Sequence, residues 1–294
     1  MQISLACINE YRTKLDGSMQ SMDRGGGIVY FRAFNHSELV SDSSFLWNGY
    51  LKKEKDSIQL LSDYAATLVY LTHYDKAKSI YFYIEEVSPN LYTTASNLGT
   101  TYELLGMPDS ALYWIKKSMQ LNPQSHHGSE WVHVKILEAQ INGTTENEAS
   151  ILRLDFGRNI IPENIHQYNL QDLSWDIEHQ LSERLKFVNA PNKTVGNIYF
   201  DYGNILALRT NLESALESYA EAERFGFNSK LMAQRRVKFI EMTSFTGTKS
   251  FIWGKIKQHP LIAFCLFILG GILFFWIAVK WYKNGRNRNQ STSA

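Results

Sequence analysis

The stretch NLGTTYELLGMPDSALYWIKKSMQLNP, residues 97–123, decides how the rest of the chain is read. It holds two amphipathic segments, separated by the tight-turn sequence Met107-Pro108-Asp109 and closed by Pro123 after Gln120-Leu121-Asn122. Gly99 on the first segment and Ala111 on the second are small, which lets two antiparallel helices pack closely. Asp109 stands where the second helix needs an N-cap. The same marks occur 34 residues earlier, where Ala65 aligns with Gly99, Ala77 with Ala111 and Pro89 with Pro123. A third copy lies in YFDYGNILALRTNLESALESYAEAERFG, residues 199–226. There Gly203 and Ala215 keep the twelve-residue spacing of Gly99 and Ala111, and Asn211 takes the capping place.

These marks resemble the tetratricopeptide repeat. In the best copy the family positions are filled by Leu98, Gly99, Tyr102, Ala111, Ile115 and Pro123. The copy starting near Ile58 supplies Tyr64, Ala65, Leu68, Ala77, Tyr81 and Pro89. The late copy supplies Tyr202, Gly203, Leu206, Ala215, Tyr219 and Ala222, with Phe227 where the family has its closing proline. The resemblance covers about a hundred residues. It implies an all-α solenoid of helical hairpins, in which each pair keeps an apolar face that only a neighbouring pair can bury. It also implies a concave groove, lined by the first helix of each pair, that holds a protein or peptide partner. By the repeat register the groove candidates are Ser62, Ala66, Val69, Ser96, Thr100, Glu103, Phe200 and Asn204. Family members that clamp a C-terminal carboxylate use Lys, Asn and Arg at such positions. Ser62, Ala66, Ser96 and Thr100 stand there instead, so a carboxylate clamp is not expected. Small, neutral and aromatic residues suit an extended segment or a partner helix, held by apolar contact and backbone hydrogen bonds.

From Gly99 to Gly203 there are 104 residues, three periods of 34 plus two, which leaves room for two more degenerate pairs. Residues 129–141, SEWVHVKILEAQI, read as a first helix capped by Ser129. Residues 142–169 carry the turn chemistry of GTTENE and IIPEN and read as an irregular excursion, after which a helix resumes over 170–188. A helix over 230–242 closes the array as a terminal cap. The expected organisation is thus a small irregular N-terminal segment over 1–57, the repeat domain over 58–245, a linker over 246–258, a transmembrane helix over 259–281 and a basic tail over 282–294. Within the first segment, Gly25-Gly26-Gly27 before IVYF reads as a turn and a short strand. No Gly-Lys-Ser/Thr follows, so a phosphate-binding loop is not supported.

Residues 261–279, LIAFCLFILGGILFFWIAV, contain no charge, amide or proline. At 1.5 Å per residue they reach about 28 Å, close to the roughly 30 Å hydrocarbon core of a bilayer. Trp253 on one side, and Trp276, Trp281 and Tyr282 on the other, suit the two interfaces. Lys280, Lys283, Arg286 and Arg288 give the tail a positive charge that favours the cytoplasm, against Lys249, Lys255 and Lys257 before the span. Two topologies follow: repeats exported with the tail cytoplasmic, or repeats cytoplasmic on a tail anchor. The opening MQISLAC ends like an export cleavage site but lacks a full apolar run, as a truncated signal sequence would.

Thirty Lys and Arg against 29 Asp and Glu leave a net charge of +1, far from the basic excess of a nucleic-acid binder. The two cysteines, Cys7 and Cys265, make neither a disulfide framework nor a four-ligand zinc site. No G-x-S-x-G, H-E-x-x-H or C-x-x-C occurs, so neither an enzyme nor a cofactor is expected. His127, Glu130 and His133 have a spacing that one helical face accommodates, but they read better as a solvated helix start than as a metal site. Tyr74, Tyr81, Phe82 and Tyr83 read as packing between repeats. The functional expectation is a membrane-anchored scaffold that binds protein partners. The alternative is a non-catalytic sensory or assembly subunit whose membrane helix packs on other subunits.

Overall fold

The computed structural model describes residues 9–23, 36–52, 57–144 and 149–258. The chain divides into two compact units, Met1–Ile240 and Glu241–Ala294. The first opens with a β-hairpin, β1 (Asn9–Thr13) and β2 (Met19–Asp23), antiparallel with Asn9 opposite Asp23. Gly17 takes positive φ at its turn, and Asp16 Oδ1 accepts from the Ser18 N–H at 2.8 Å. The strand expected after Gly27 lies outside the described residues.

Every other element among the described residues is helical. Helix α1 (His36–Leu51) replaces the irregular stretch expected there. Its Ser, Asp and Asn content reads as turn chemistry, but Trp47 packs its ring on Tyr50 and on Tyr64 of the next helix, and that tertiary contact outweighs weak local propensity. There follow α2 (Ser57–Tyr70), α3 (Tyr74–Val87), α4 (Tyr92–Leu104), α5 (Pro108–Leu121), α6 (Glu130–Ile141), α7 (Leu170–Arg184), α8 (Lys193–Arg209), α9 (Leu212–Arg224) and α10 (Lys230–Gln258). Each packs on its successor from α1 to α9, the contact pattern of a repeat-like stack of hairpins.

The proposed register aligns equivalent residues in equivalent surroundings. Ala65, Gly99 and Gly203 are all buried, and the residue sixteen positions on from each is Tyr81, Ile115 or Tyr219, all fully buried. A Cβ on Gly99 would come within 2.4 Å of Ile115 Cδ1, and one on Gly203 within 2.4 Å of Tyr219 Cε1. Glycine is therefore set by close helix approach in both copies. Ala77, Ala111 and Ala215 are likewise fully buried. In the first two pairs the turn between helices closes by the same paired hydrogen bonds. His73 N donates to Leu68 O with Thr72 N to Val69 O, and Met107 N donates to Tyr102 O with Gly106 N to Glu103 O. The late hairpin exits through Gly226 at positive φ, with Phe227 N donating to Ala222 O, so a glycine-centred C-cap does there what proline does in the other copies.

Capping follows the expectation at some ends only. Asn211 Oδ1 accepts from the Ser214 N–H at 2.8 Å, and Asn169 and Asn192 cap α7 and α8. Asp109 lies inside α5, behind Pro108 at the first position, and Ser129 precedes α6 without a side-chain cap bond. The excursion between α6 and α7 is tied down by buried polar groups. Asn197 accepts from Ile151 N and donates to Ala149 O, and the Arg235 guanidinium donates to the carbonyls of Phe156, Gly157 and Asn159.

Among the described residues no helix is long and apolar enough to cross a membrane. The expected span, 261–279, lies outside them.

Candidate functional site

A half-open cavity of about 480 Å³ lies within the first unit. The first helices of three successive pairs supply most of its wall: Ala66, Val69 and Tyr70 from α2, residues from Tyr92 to Leu104 along α4, and Glu130, His133 and Gln140 from α6. Gln180, Glu183 and Arg184 at the end of α7 close the far side, with Phe187 and Val188 just beyond. One end is apolar, formed by Val69, Tyr70, Leu104, Phe187 and Val188, and there the rings of Tyr70 and Phe187 stack at 5.1 Å.

The other end is a buried charge network. Glu103 on α4 receives Arg184 through Nη1 at 2.6 Å and Nη2 at 3.1 Å, a bidentate pair between side chains 81 residues apart in sequence. Gln140 Nε2 donates to Glu103 Oε1 at 2.9 Å, and His133 Nε2 meets Glu103 Oε2 at 2.8 Å. The other nitrogen of His133, Nδ1, lies 3.6 Å from Glu130 Oε2. His126 Nδ1 meets Glu130 Oε1 at 2.9 Å, and the His126 and His179 rings sit 4.6 Å apart.

Burial and pairing compete in this network. Burial favours a neutral Glu103, but Arg184 and His133 overcome it and hold the carboxyl far below the usual carboxylate range. Burial likewise opposes charge on Glu130, and its contacts with His126 and His133 bring it down to about 2. His133 would lose its proton on burial alone, but its bond to Glu103 reverses the sign and raises its pKa. Hydrogen bonding to Glu130 raises that of His126, while burial, with His126 beside it, lowers that of His179. The His133 imidazole between the two carboxylates thereby holds its proton more firmly than a free one and joins α4 to α6, and Arg184 adds α7.

Five of the eight groove candidates, Ala66, Val69, Ser96, Thr100 and Glu103, line this cavity. Ser62 is buried on α2 outside its wall. Phe200 and Asn204 sit elsewhere in the core: Phe200 packs between Tyr219 and Phe227, and Asn204 Oδ1 accepts from Tyr219 and Arg235. The reading of Glu130 and His133 as a solvated helix start is corrected, because they are only 4% and 7% exposed. The sequence did hold a signal for them: Glu130 and His133 stand among Trp131, Val132, Val134, Ile136 and Leu137, and polar groups in so apolar a stretch of helix lie close to the core. Arg184 had no such signal, since its pairing depends on how the excursion returns the chain. Among the described residues no group of three or more His, Cys, Asp or Glu is arranged to hold a metal ion.

No protein-family model and no curated protein matches the chain.

Proposed function

We propose that this chain is a non-catalytic scaffold of the tetratricopeptide kind, tethered to a membrane by residues 261–279, which holds a segment of a partner protein against α2, α4 and α6. The observation that carries the reading is where the cavity falls. It opens on the first helices of consecutive pairs, the side on which a stack of hairpins forms its inner wall. Its volume lies within the roughly 300–1,000 Å³ of ordinary binding sites. The wall mixes apolar side chains with a few convergent polar groups, the composition such sites share. A basic tail on the cytoplasmic side would place the repeats on the exported face.

The test is recovery of partners from solubilised membranes. Ala66, half-buried in the wall, is replaced by Phe, and Tyr113, 63% exposed on α5 and outside the cavity, is replaced by Ala as a control. The proposal expects a partner recovered with the wild type and with Y113A to be lost with A66F. Recovery of the same partner by all three, with A66F folded, contradicts it. The alternative, a subunit of a larger complex joined through its membrane helix, expects loss of partners only when 261–279 is exchanged for an unrelated apolar span.

A further inference from the structure

The network beside the cavity already leans to positive charge. When His126 and His133 are protonated, they and the cations Arg184 and Lys186 face the carboxylates Glu103, Glu130 and Glu183 among the described residues. His179 reaches the same place. Its ring, on α7, lies 4.6 Å from that of His126 at an interplanar angle of 43°. His126 belongs to the short 3₁₀ turn Ser125–Gly128 ahead of α6, and it holds a positive φ of 50°. A residue other than glycine keeps that conformation only while its contacts offset the strain. Those contacts are Glu130 at 2.9 Å, the Tyr92 ring of α4 at 6.3 Å and His179.

A second charge in this seam has nothing to receive it. An imidazolium carries a proton on both nitrogens, and Nε2 of His179 is buried with no acceptor among the described residues. The charged groups that face it are His126 from the turn, Glu130 from α6, and Glu183 and Lys186 from its own stretch of chain. Both carboxylates are engaged already, Glu130 by His126 and Glu183 by Lys186. The neighbouring α8 sends Tyr202 to Glu178 and Arg209 to Gln171, elsewhere on α7. Polar side chains tie α7 to the rest of the wall: Arg184 to Glu103, Trp131 Nε1 to Asp176 Oδ2 at 2.6 Å, and Gln180 Nε2 to Ser129 Oγ at 3.2 Å.

We infer that the seam between this turn and α7 is an acid-released latch: a proton on His179 sets two imidazolium rings against each other, the turn parts from α7, and the far wall of the cavity opens. The latch governs access to the cavity whatever occupies it, so it goes beyond the scaffold reading and does not depend on it. The directions of the shifts fix its window. Below about 6.5, His126 and His133 are protonated whether the seam is open or closed, and above about 4.5, Glu103 and Glu130 are ionised in both states. Between those limits His179, whose pKa burial and His126 lower, binds its proton more tightly with the seam open. Acid therefore favours opening, by at most about tenfold per pH unit for one proton.

Hydrogen exchange read by mass spectrometry on the full chain in detergent micelles tests this between about pH 6.5 and about pH 5, with protection corrected for the intrinsic pH dependence of exchange. Residues 125–130 and 170–184 are expected to lose protection at least about threefold as the pH falls, while α5 stays unchanged. His179→Gln, neutral throughout, is expected to hold the protection of both segments constant. His126→Gln, which removes the opposing charge, is expected to cut the loss by about half or more, and it decides the matter where the first variant fails to fold. A smaller loss in the wild type, an equal loss in α5, a loss that persists in His179→Gln or one undiminished in His126→Gln overturns the inference.

Discussion

The late hairpin, α8–α9 with the start of α10, and the middle pairs, α4 to α7, use one repeat register for opposite ends. In the late hairpin α8 is buried on every face from Thr194 to Ala207, and its polar residues are absorbed by structure: Asn204 by Tyr219 and Arg235, Asn197 by Ala149 and Ile151, Asp201 by Ser150. Glycine brings the backbones together at Gly196 and Gly203. In the middle pairs Gly99 still closes the α4–α5 contact, but the opposite face of α4 meets α6 and α7 through charges around a cavity instead of through apolar packing. A repeat thus fixes the hairpin and leaves free what lies between hairpins. The proposed site lies where sealing is incomplete.

The largest expected effect falls on the network. Arg184→Met leaves Glu103 buried against His133 and Gln140 alone, and chemical denaturation should show a loss of about 3–5 kcal/mol, the usual cost of breaking a buried pair from one side. Replacing both partners, as E103L with R184M, should recover much of that loss while abolishing binding in the cavity, since an apolar pair often equals a buried ion pair in stability. Were the double variant as unstable as the single one, the network would be a structural fixture like that of the late hairpin.

Glycine substitution comes next and reads out the sealed region. A Cβ on Gly196 meets Ala222 O at 2.8 Å and Phe227 Cβ at 2.6 Å, neither the end of a flexible chain. Gly196→Ala should cost about 1–3 kcal/mol, the range for overpacked cores. Gly99→Ala, which meets mainly the mobile end of Ile115, should cost less. Reversal of that order in thermal melts would mean that the late hairpin is the looser of the two.

Titration separates the regions again. The raised values of His126 and His133 make their contribution complete below the unfolded value of about 6.5, and it is lost as pH rises through the raised folded values. The depressed value of Glu130 makes its contribution complete above about 4.5, and it is lost as pH falls toward about 2. The network should therefore contribute most between those limits. Burial raises Asp201 to about 7, so its effect is present below about 3.8 and lost as pH rises through about 7. Asp201→Asn should remove a slope of up to about 1.4 kcal/mol per pH unit from that interval, measured by denaturation at a series of pH values. Smallest of all, Asn211→Ala removes the cap bond to Ser214 and should cost about 1 kcal/mol.

The sequence was most informative where the physics is local. Small residues at helix crossings, their 34-residue spacing and the Asn211 cap are legible because each acts within one hairpin. Val69, Ser96, Thr100 and Glu103 were found by register, because a first helix presents the same face in every pair. Phe200 and Asn204 occupy that same register, but α10 and the excursion cover the late hairpin, and no periodic rule announces that cover. The Glu103–Arg184 pair was hidden for the same reason, since it depends on a 28-residue excursion, 142–169, whose path is set by tertiary contacts. Helix α1 shows the converse, weak local signals overruled by the packing of Trp47.

The most direct test of the account is photo-crosslinking in native membranes, with a benzophenone amino acid placed in turn at Ser96 in the cavity, at Ala207 in the sealed helix α8 and at Tyr113 on the exposed face of α5. The account predicts a discrete adduct with a partner polypeptide from Ser96 and none from Ala207 or Tyr113. An adduct from Tyr113 alone, or no adduct from Ser96, would contradict it.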